Sequence, residues 1–127
     1  KNLICLACDR RYRSEEVEGQ MPPRCACQRI LKPDVVFFGE TIPAEALRES
    51  YTLASSCQVL LVAGTSAEVT PANTIPYAAK MAKAKIIEIN VAPTALTTSL
   101  TDIFLQGKAS EMITGLVHEV ERIAGYV

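Results

Sequence analysis

The chain carries no excess of either charge. Its 127 residues hold 13 Lys/Arg against 14 Asp/Glu, a formal net charge of −1. It therefore has no basic surplus of the kind that holds a phosphate backbone, and direct nucleic-acid binding is not expected. Long apolar runs are also missing. None approaches the roughly 18 residues a membrane-spanning helix needs, so no membrane partner is expected. No signal peptide is visible at a start that reads Lys1 rather than Met. A 49% hydrophobic composition excludes a disordered chain. The expectation is a soluble, cytoplasmic polypeptide about one domain long, open to having been cut from something longer. Histidine is almost absent, with His118 the single one.

Cysteine is present, and it is crowded. Four of the five fall within 23 residues, as C-x-x-C (Cys5, Cys8) and C-x-C (Cys25, Cys27), with 16 residues between the pairs. Two close thiol pairs at this separation match a structural zinc site. A short loop lets both members of a pair face one tetrahedral ion, and the second pair closes the shell. Four thiolates leave no position for water, so such a metal would hold shape and would not catalyse. The intervening "DRRYRSEEVEGQMPP" is polar and cannot build a core, so ligation would supply the missing folding energy. Two disulfides in a secreted protein would use the same residues. The reducing setting expected for the rest of the chain favours the metal. The second pair is one residue tighter than the usual knuckle. Cys57 has no basic group near it in sequence and reads as a small, half-buried residue.

The charge changes sign along the chain. Residues 1–32 hold seven Lys/Arg and four Asp/Glu, a net of +3, and residues 33–127 hold six and ten, a net of −4. The change falls beside Pro33, which suggests a zinc-binding module over 1–32 and a second module over 33–127. The basic cluster Arg10, Arg11 and Arg13 reads as a solvated face or as a contact for an acidic partner.

Past Pro33 three short apolar runs, "DVVFFGE" (34–40), "QVLLVAGTS" (58–66) and "AKIIEIN" (84–90), suit strands covered on both faces. Helical patterns lie between them at 43–54 and 75–84, the latter with a Pro at its start. The alternation predicts an α/β fold: part of a Rossmann-like parallel sheet with helices on both faces and right-handed crossovers. Residues 110–123 predict a last amphipathic helix capped by Ser110. At about 100° per residue, Met112, Ile113, Leu116, Val117, Val120 and Ile123 share one arc and His118 points away from it. In open parallel sheets ligands bind beyond the carboxyl ends of the strands. Each predicted strand ends in polar residues or glycine: Gly39-Glu40, Gly64-Thr65-Ser66 and Asn90. Ordinary turn chemistry accounts for any one ending; three on one rim point to a nucleotide. Gly64 would admit a ligand to the backbone, Thr65 and Ser66 offer hydroxyls, and Asn90 offers an amide to a sugar diol.

In order and spacing, the cysteine pairs, "LKPDVVFFGE", "VAGTS", "PANTIPYAA", "EIN" with a later Thr, and "GKA" before the last helix resemble the sirtuin family over nearly the whole chain. That resemblance implies an NAD-dependent protein-lysine deacylase. In such an enzyme the acyl oxygen attacks the ribose carbon, nicotinamide leaves and the acyl group ends on ADP-ribose. It implies zinc on Cys5, Cys8, Cys25 and Cys27. It implies substrate contacts from Val36, Phe37, Phe38, Gly39 and Glu40: the Val36 carbonyl accepting the acyl-lysine amide N–H, Phe37 beside the tunnel, Gly39 and Glu40 pairing with the peptide as an added strand. It implies NAD contacts from Gly64, Thr65, Ser66, Asn90 and the backbone near Lys108, with the zinc module as one wall of the cleft.

The family's Gly-rich phosphate loop, Gln-Asn-x-Asp segment and catalytic His precede the zinc module and have no counterpart here. No catalytic residue is therefore assigned, and His118 reads as a surface residue. The sequence also has Gln28-Arg29 where glycines are usual in the family, and Ala67 where Leu is frequent. The expectation is part of a deacylase that is inactive by itself, with a missing half or a second copy covering an exposed sheet edge. The alternatives are a non-catalytic module for NAD, ADP-ribose or acyl peptide, and a zinc-ribbon α/β domain for another nucleotide, against which "VVFFGE" counts.

Overall fold

The computed structural model describes residues 2–125. The chain divides into two compact units, Lys1–Ile42 and Pro43–Val127. In the first, β1 (Asn2–Ile4) pairs antiparallel with β2 (Arg11–Arg13) on one side and β3 (Lys32–Pro33) on the other. Its interior is small. Cys5, Val17, Cys25 and Leu31 are buried, with Leu3 and Tyr12 packed beside them. Two of the four buried side chains are thiols, so apolar burial alone is a weak source of stability here.

The run 34–40, expected as a parallel strand, is not one. Strand structure stops at Pro33, and Val35, Val36, Phe37 and Phe38 are exposed, Phe38 at 93%. Local hydrogen bonds take the segment instead. The Asp34 N–H donates to the Asn2 carbonyl, the Val35 N–H to the Pro33 carbonyl, and the Glu40 N–H to the Phe37 carbonyl. Gly39 at φ +85° supplies the positive φ that the third residue of a type II turn requires. The compact division falls after Ile42, so this segment lies with the cysteine-bearing unit rather than with the sheet.

The second unit reads α1 (Ala44–Ser56), β4 (Val59–Ala63), α2 (Ile75–Met81), β5 (Lys85–Asn90), α3 (Ala95–Ser99), β6 (Ile103–Gln106) and α4 (Ala109–Ala124). The strands form a parallel sheet in the order β4-β5-β6, with Ala63 opposite Ile89 and Asn90 opposite Gln106. The expected α/β architecture with a parallel sheet is present, but its third strand is β6. Pro76 in the first turn of α2 gives up an N–H that would have no partner there.

Ala54, Val62, Ala79, Ala84, Ile86 and Leu96 form the core, drawing on α1, α2, α3 and two strands. Alternation along β5 puts Ile86 and Glu88 on this face and Ile87 and Ile89 on the other. Ile86 and Ile89 are both fully buried, each worth about 1.5–3 kcal/mol of transfer free energy.

α4 begins one residue before the expected cap, Ser110. Lys108 holds the N-cap position without a side-chain hydrogen bond and Ser110 lies inside the helix. Gly125, at φ 74°, closes it in the left-handed conformation. Of the apolar arc, Met112, Ile113 and Leu116 are half-buried, while Val117, Val120 and Ile123 are exposed. Among the described residues no helix is long and apolar enough to cross a membrane.

Candidate functional site

Two groups of residues carry chemistry, one in each unit. In the first, each cysteine pair sits in a tight turn. The Asp9 N–H donates to the Cys5 carbonyl and the Gln28 N–H to the Cys25 carbonyl, both at 2.8 Å. Asp9 and Gln28 leave these turns at φ 56° and 66°. A side chain at such a φ costs about 1–2 kcal/mol relative to glycine, which explains why glycine suits the position that Gln28 occupies.

The turns bring the four sulfurs within 4.8 Å of one another. Sγ distances are 3.5 Å for Cys5–Cys27, 3.6 Å for Cys8–Cys25 and 3.8 Å for Cys8–Cys27. Zn–S bonds of about 2.3 Å set tetrahedral sulfurs about 3.8 Å apart, so the donor set and its spacing fit zinc. All four thiols are free, not disulfide-bonded. Without a cation they divide their protons unevenly. The Cys25 thiol is drawn down to about 6 by the Cys27 backbone N–H, then by the Tyr12 hydroxyl. At Cys8 the Arg10 backbone N–H pulls down, but the thiols of Cys25, Cys5 and Cys27 together with burial push it up to about 11. A divalent cation resolves that competition by taking all four as thiolates.

In the second unit the carboxyl ends of the three parallel strands form one rim. Gly64, just past β4, stands at φ +65°, and a Cβ built there would meet nothing within 4 Å. Its N–H donates to the Ile89 carbonyl at 3.0 Å. Thr65 and Ser66 are exposed. Asn90, ending β5, ties the rim together. Its Nδ2 donates to the Thr65 carbonyl at 2.8 Å, its Oδ1 accepts the Val91 N–H, and its carbonyl accepts the Gly107 N–H at 2.9 Å. Gly107 leads from β6 to exposed Lys108. The third ending of the rim is thus Gln106-Gly107-Lys108 rather than Gly39-Glu40. Below the β4 end lies a cavity of about 320 Å³ lined by Leu60, Val62, Thr65, Ala67 and Asn73, among others. The Asn73 Oδ1 is buried there with no hydrogen-bond partner among the described residues.

Beneath the rim, Glu88 is 1% exposed. Its carboxylate accepts hydrogen bonds from Thr94 at 2.5 Å, Thr97 at 2.8 Å and Thr101 at 2.6 Å. Burial pushes its pKa up, but the hydroxyls of Thr101, Thr94 and Thr97 outweigh burial and hold it below the ordinary carboxylate range. Asp102 accepts from Lys80 at 2.7 Å, the Ile86 N–H at 2.8 Å and Lys85 at 3.2 Å. Lys80 first, then the Ile86 N–H, hold that carboxyl far below its usual range.

In the segment 36–40 the Glu40 carboxylate accepts from Lys32 Nζ at 2.7 Å and from the Phe37 N–H at 3.0 Å. These contacts hold the Glu40 carboxyl below its ordinary range, Lys32 contributing most. Lys32 Nζ also lies 5.0 Å from the centre of the Phe37 ring. His118 is 74% exposed on α4, 3.9 Å from Glu121, as its position on the helix predicted. Cys57 is half-buried against the core, its thiol donating to the Ala54 carbonyl at 3.3 Å.

The family model described as "Sir2 family" matches residues 1–71. The chain belongs to the Sir2 family. It is 47% identical over 119 residues to NAD-dependent protein deacylase 2 of Pyrobaculum aerophilum, covering 93% of this chain and 47% of that one. It is 41% identical over 127 residues to the NAD-dependent protein deacylase of Pyrococcus furiosus, covering 94% and 50%. A mutant Sir2 homologue in complex with ADP-ribose superposes with a TM-score of 0.89 at 36% identity, over 98% of this chain and 50% of that one. Sir2Af2 bound to a myristoylated histone peptide superposes with a TM-score of 0.84 at 36% identity, over 99% and 56%. The chain spans about half the length of these Sir2-family relatives.

Three parts of this Sir2-family chain escaped sequence reasoning: strand β6, the threonine knot around Glu88, and Tyr12 beside the cysteines. For β6 the signal was "IFLQGK", a short apolar run ending in a polar residue and glycine like its neighbours. For the knot it was the spacing of Thr94, Thr97 and Thr101 after a glutamate set in an isoleucine-rich strand.

Proposed function

We propose that this chain is the zinc-bearing portion and nucleotide-binding rim of an NAD-dependent protein-lysine deacylase. The observation that carries the reading is the rim, where Asn90 joins all three parallel strand ends beside an open backbone at Gly64. Thr65 and Ser66 hydroxyls and the Asn90 amide suit ribose and phosphate, and Gly64 lets a ligand lie against the main chain. The backbone at Lys108 would read the adenine. Bound NAD would supply the ribose carbon to which the acyl oxygen is transferred as nicotinamide leaves. The exposed segment Val36, Phe37, Phe38, Gly39 and Glu40 would take the acyl-lysine peptide, with main-chain groups giving affinity and the apolar side chains flanking the acyl chain. The Lys32–Glu40 pair keeps that turn shaped. Zinc would serve structure alone, because four thiolates leave no open position.

No residue of this chain is assigned as the general base. Such a group contributes roughly 10²–10⁴-fold, and His118 is a solvent-facing side chain of α4. The reading for the 127-residue polypeptide by itself is ligand binding without turnover. A non-catalytic module for ADP-ribose or acyl peptide is the second reading, favoured by the same completeness of the rim.

Calorimetry with ADP-ribose on the full-length protein and its Asn90→Ala variant tests the rim. Loss of the amide is expected to weaken binding about tenfold, equivalent to about 1.4 kcal/mol. Equal affinities would show that the nucleotide sits elsewhere. Turnover of NAD and an acetyl-lysine peptide by the full-length protein separates the deacylase from the binding module.

A further inference from the structure

Tyr12 lies at the centre of β2, opposite Leu3. Its ring is half-buried against the small core of the first unit. Its hydroxyl oxygen lies 3.0 Å from the Ala26 N and 3.3 Å from the Cys25 Sγ. The proton assignments follow from valence. An amide N–H can only donate, so the phenol oxygen accepts from Ala26. A thiolate sulfur can only accept, so the single phenol proton goes to Cys25.

We infer that Tyr12 is a positioning group of the metal centre, one hydroxyl that fixes the Cys25 sulfur and the C-x-C turn together. The tightness of that turn gives the reason. Ala26 is the single residue between two ligands, and its N–H donates to the Tyr12 hydroxyl at 3.0 Å. Ala26 is exposed, so the bond does not rescue a buried donor; made from the neighbouring hairpin, it fixes the geometry of the turn between the two ligands. The same hydroxyl then offsets charge where it accumulates. Four thiolates around one divalent ion leave two net negative charges, and Cys25 is 2% exposed, so water does little to stabilise its share. A hydrogen bond to the sulfur offsets part of that charge and holds the sulfur in its ligating position. Partners of this kind typically govern metal affinity by about 10–100-fold. The chain thereby links the β1–β2 hairpin, which carries the first cysteine pair at its end and turn, to the second pair through a contact besides the metal.

The inference rests on the zinc reading of the four cysteines, and its test separates the two. The full-length protein and its Tyr12→Phe variant are loaded with zinc and titrated against a competing chelator, then loaded with cobalt and their sulfur-to-metal charge-transfer bands recorded. Tyr12→Phe keeps the ring and removes the hydroxyl. Its metal affinity is expected to fall about tenfold, and its band to move to longer wavelength, because a sulfur without its donor holds its electrons less tightly. Fluorotyrosine at position 12, a stronger donor of the same shape, should move the band the other way, which keeps the test decisive if Tyr12→Phe folds poorly. Affinity and band equal to those of the unaltered protein overturn the inference. A weakened affinity with bands unmoved in both variants also overturns it, because ring packing would then be the whole effect. An unaltered protein that takes up no metal overturns the zinc reading and this inference with it.

Discussion

Glu88→Gln isolates a competition that sequence cannot decide. The carboxylate is 1% exposed, and among the described residues its partners are three threonine hydroxyls at 2.5 to 2.8 Å, with no cation beside it. Dehydrating a carboxylate costs several kcal/mol, so removing the charge should help. Against this, hydrogen bonds to a charged acceptor contribute about 1.5–3 kcal/mol and neutral ones about 0.5–1.5. Three such bonds therefore lose about 3 kcal/mol in total when the acceptor becomes an amide. The amide also aims an N–H₂ at a Thr94 oxygen that already accepts the Leu96 N–H at 3.1 Å. That the hydroxyls win is indicated by the carboxyl lying below its ordinary pKa range despite burial. Glu88→Gln is expected to destabilise the fold by about 1–3 kcal/mol near neutral pH, read by urea unfolding monitored by circular dichroism. Glu88 has a depressed folded-state pKa. Its contribution is therefore present above the unfolded value of about 4.3 and fades as pH falls through the folded value. The gap between the two proteins should close in acid. Combining Glu88→Gln with Thr101→Val should cost less than the sum of the two, because the first weakens the bond that the second removes. A Glu88→Gln protein as stable as the parent near neutral pH would refute the reasoning and show that dehydration dominates.

Asp102→Asn should remove the ion pairs with Lys80 and Lys85 while keeping an oxygen for the Ile86 N–H. Because the folded carboxyl is depressed, the parent should lose stability relative to the variant as pH drops below about 4, measured by urea unfolding across that range. Gly64→Ala should cost about 1–2 kcal/mol of stability from the left-handed backbone alone, since the new methyl meets nothing. On the proposed rim it should also weaken ADP-ribose binding through the lost approach to the backbone. A melting shift with unchanged calorimetry would contradict that role.

Elements with a strong local signal were legible in the sequence. β4 and β5 carry runs of aliphatic residues long enough to stand out, and α2 announces itself through Pro76. The cysteine centre was legible because metal geometry constrains spacing so tightly. The segment 34–40 misled because "VVFF" has the composition of a buried strand. Its fate is decided by Pro33, Gly39 and the Glu40 carboxylate, which close it into a turn with its apolar side chains outward. β6 offers three apolar residues, below the length at which strand and loop separate, and it is a strand because β5 lies beside it. Tyr12 and the threonine knot are long-range contacts. Each residue is ordinary in its own sequence context, and only the fold brings Tyr12 to Ala26 or Thr101 to Glu88.

The position of Asn90 follows from residues that never reach the surface. Along β5, Ile86, Glu88 and Asn90 share a face. Ile86 is locked into the core, and Glu88 can ionise only where three hydroxyls meet it. A slip of one residue would turn Ile86 and Glu88 off that face and bring Ile87 and Ile89 onto it, separating the carboxylate from all three donors. Asn90 therefore ends the strand with its register already decided two residues upstream. The donors themselves come from the segment that follows it, Thr94 capping α3 and Thr101 just beyond. One buried carboxylate thus fixes both the strand that delivers Asn90 and the chain leaving it. Asn90 in turn holds the Thr65 carbonyl and the Gly107 N–H. Rigidity at the rim is inherited from the interior, so loosening Glu88 should disturb the rim before it disturbs the sheet.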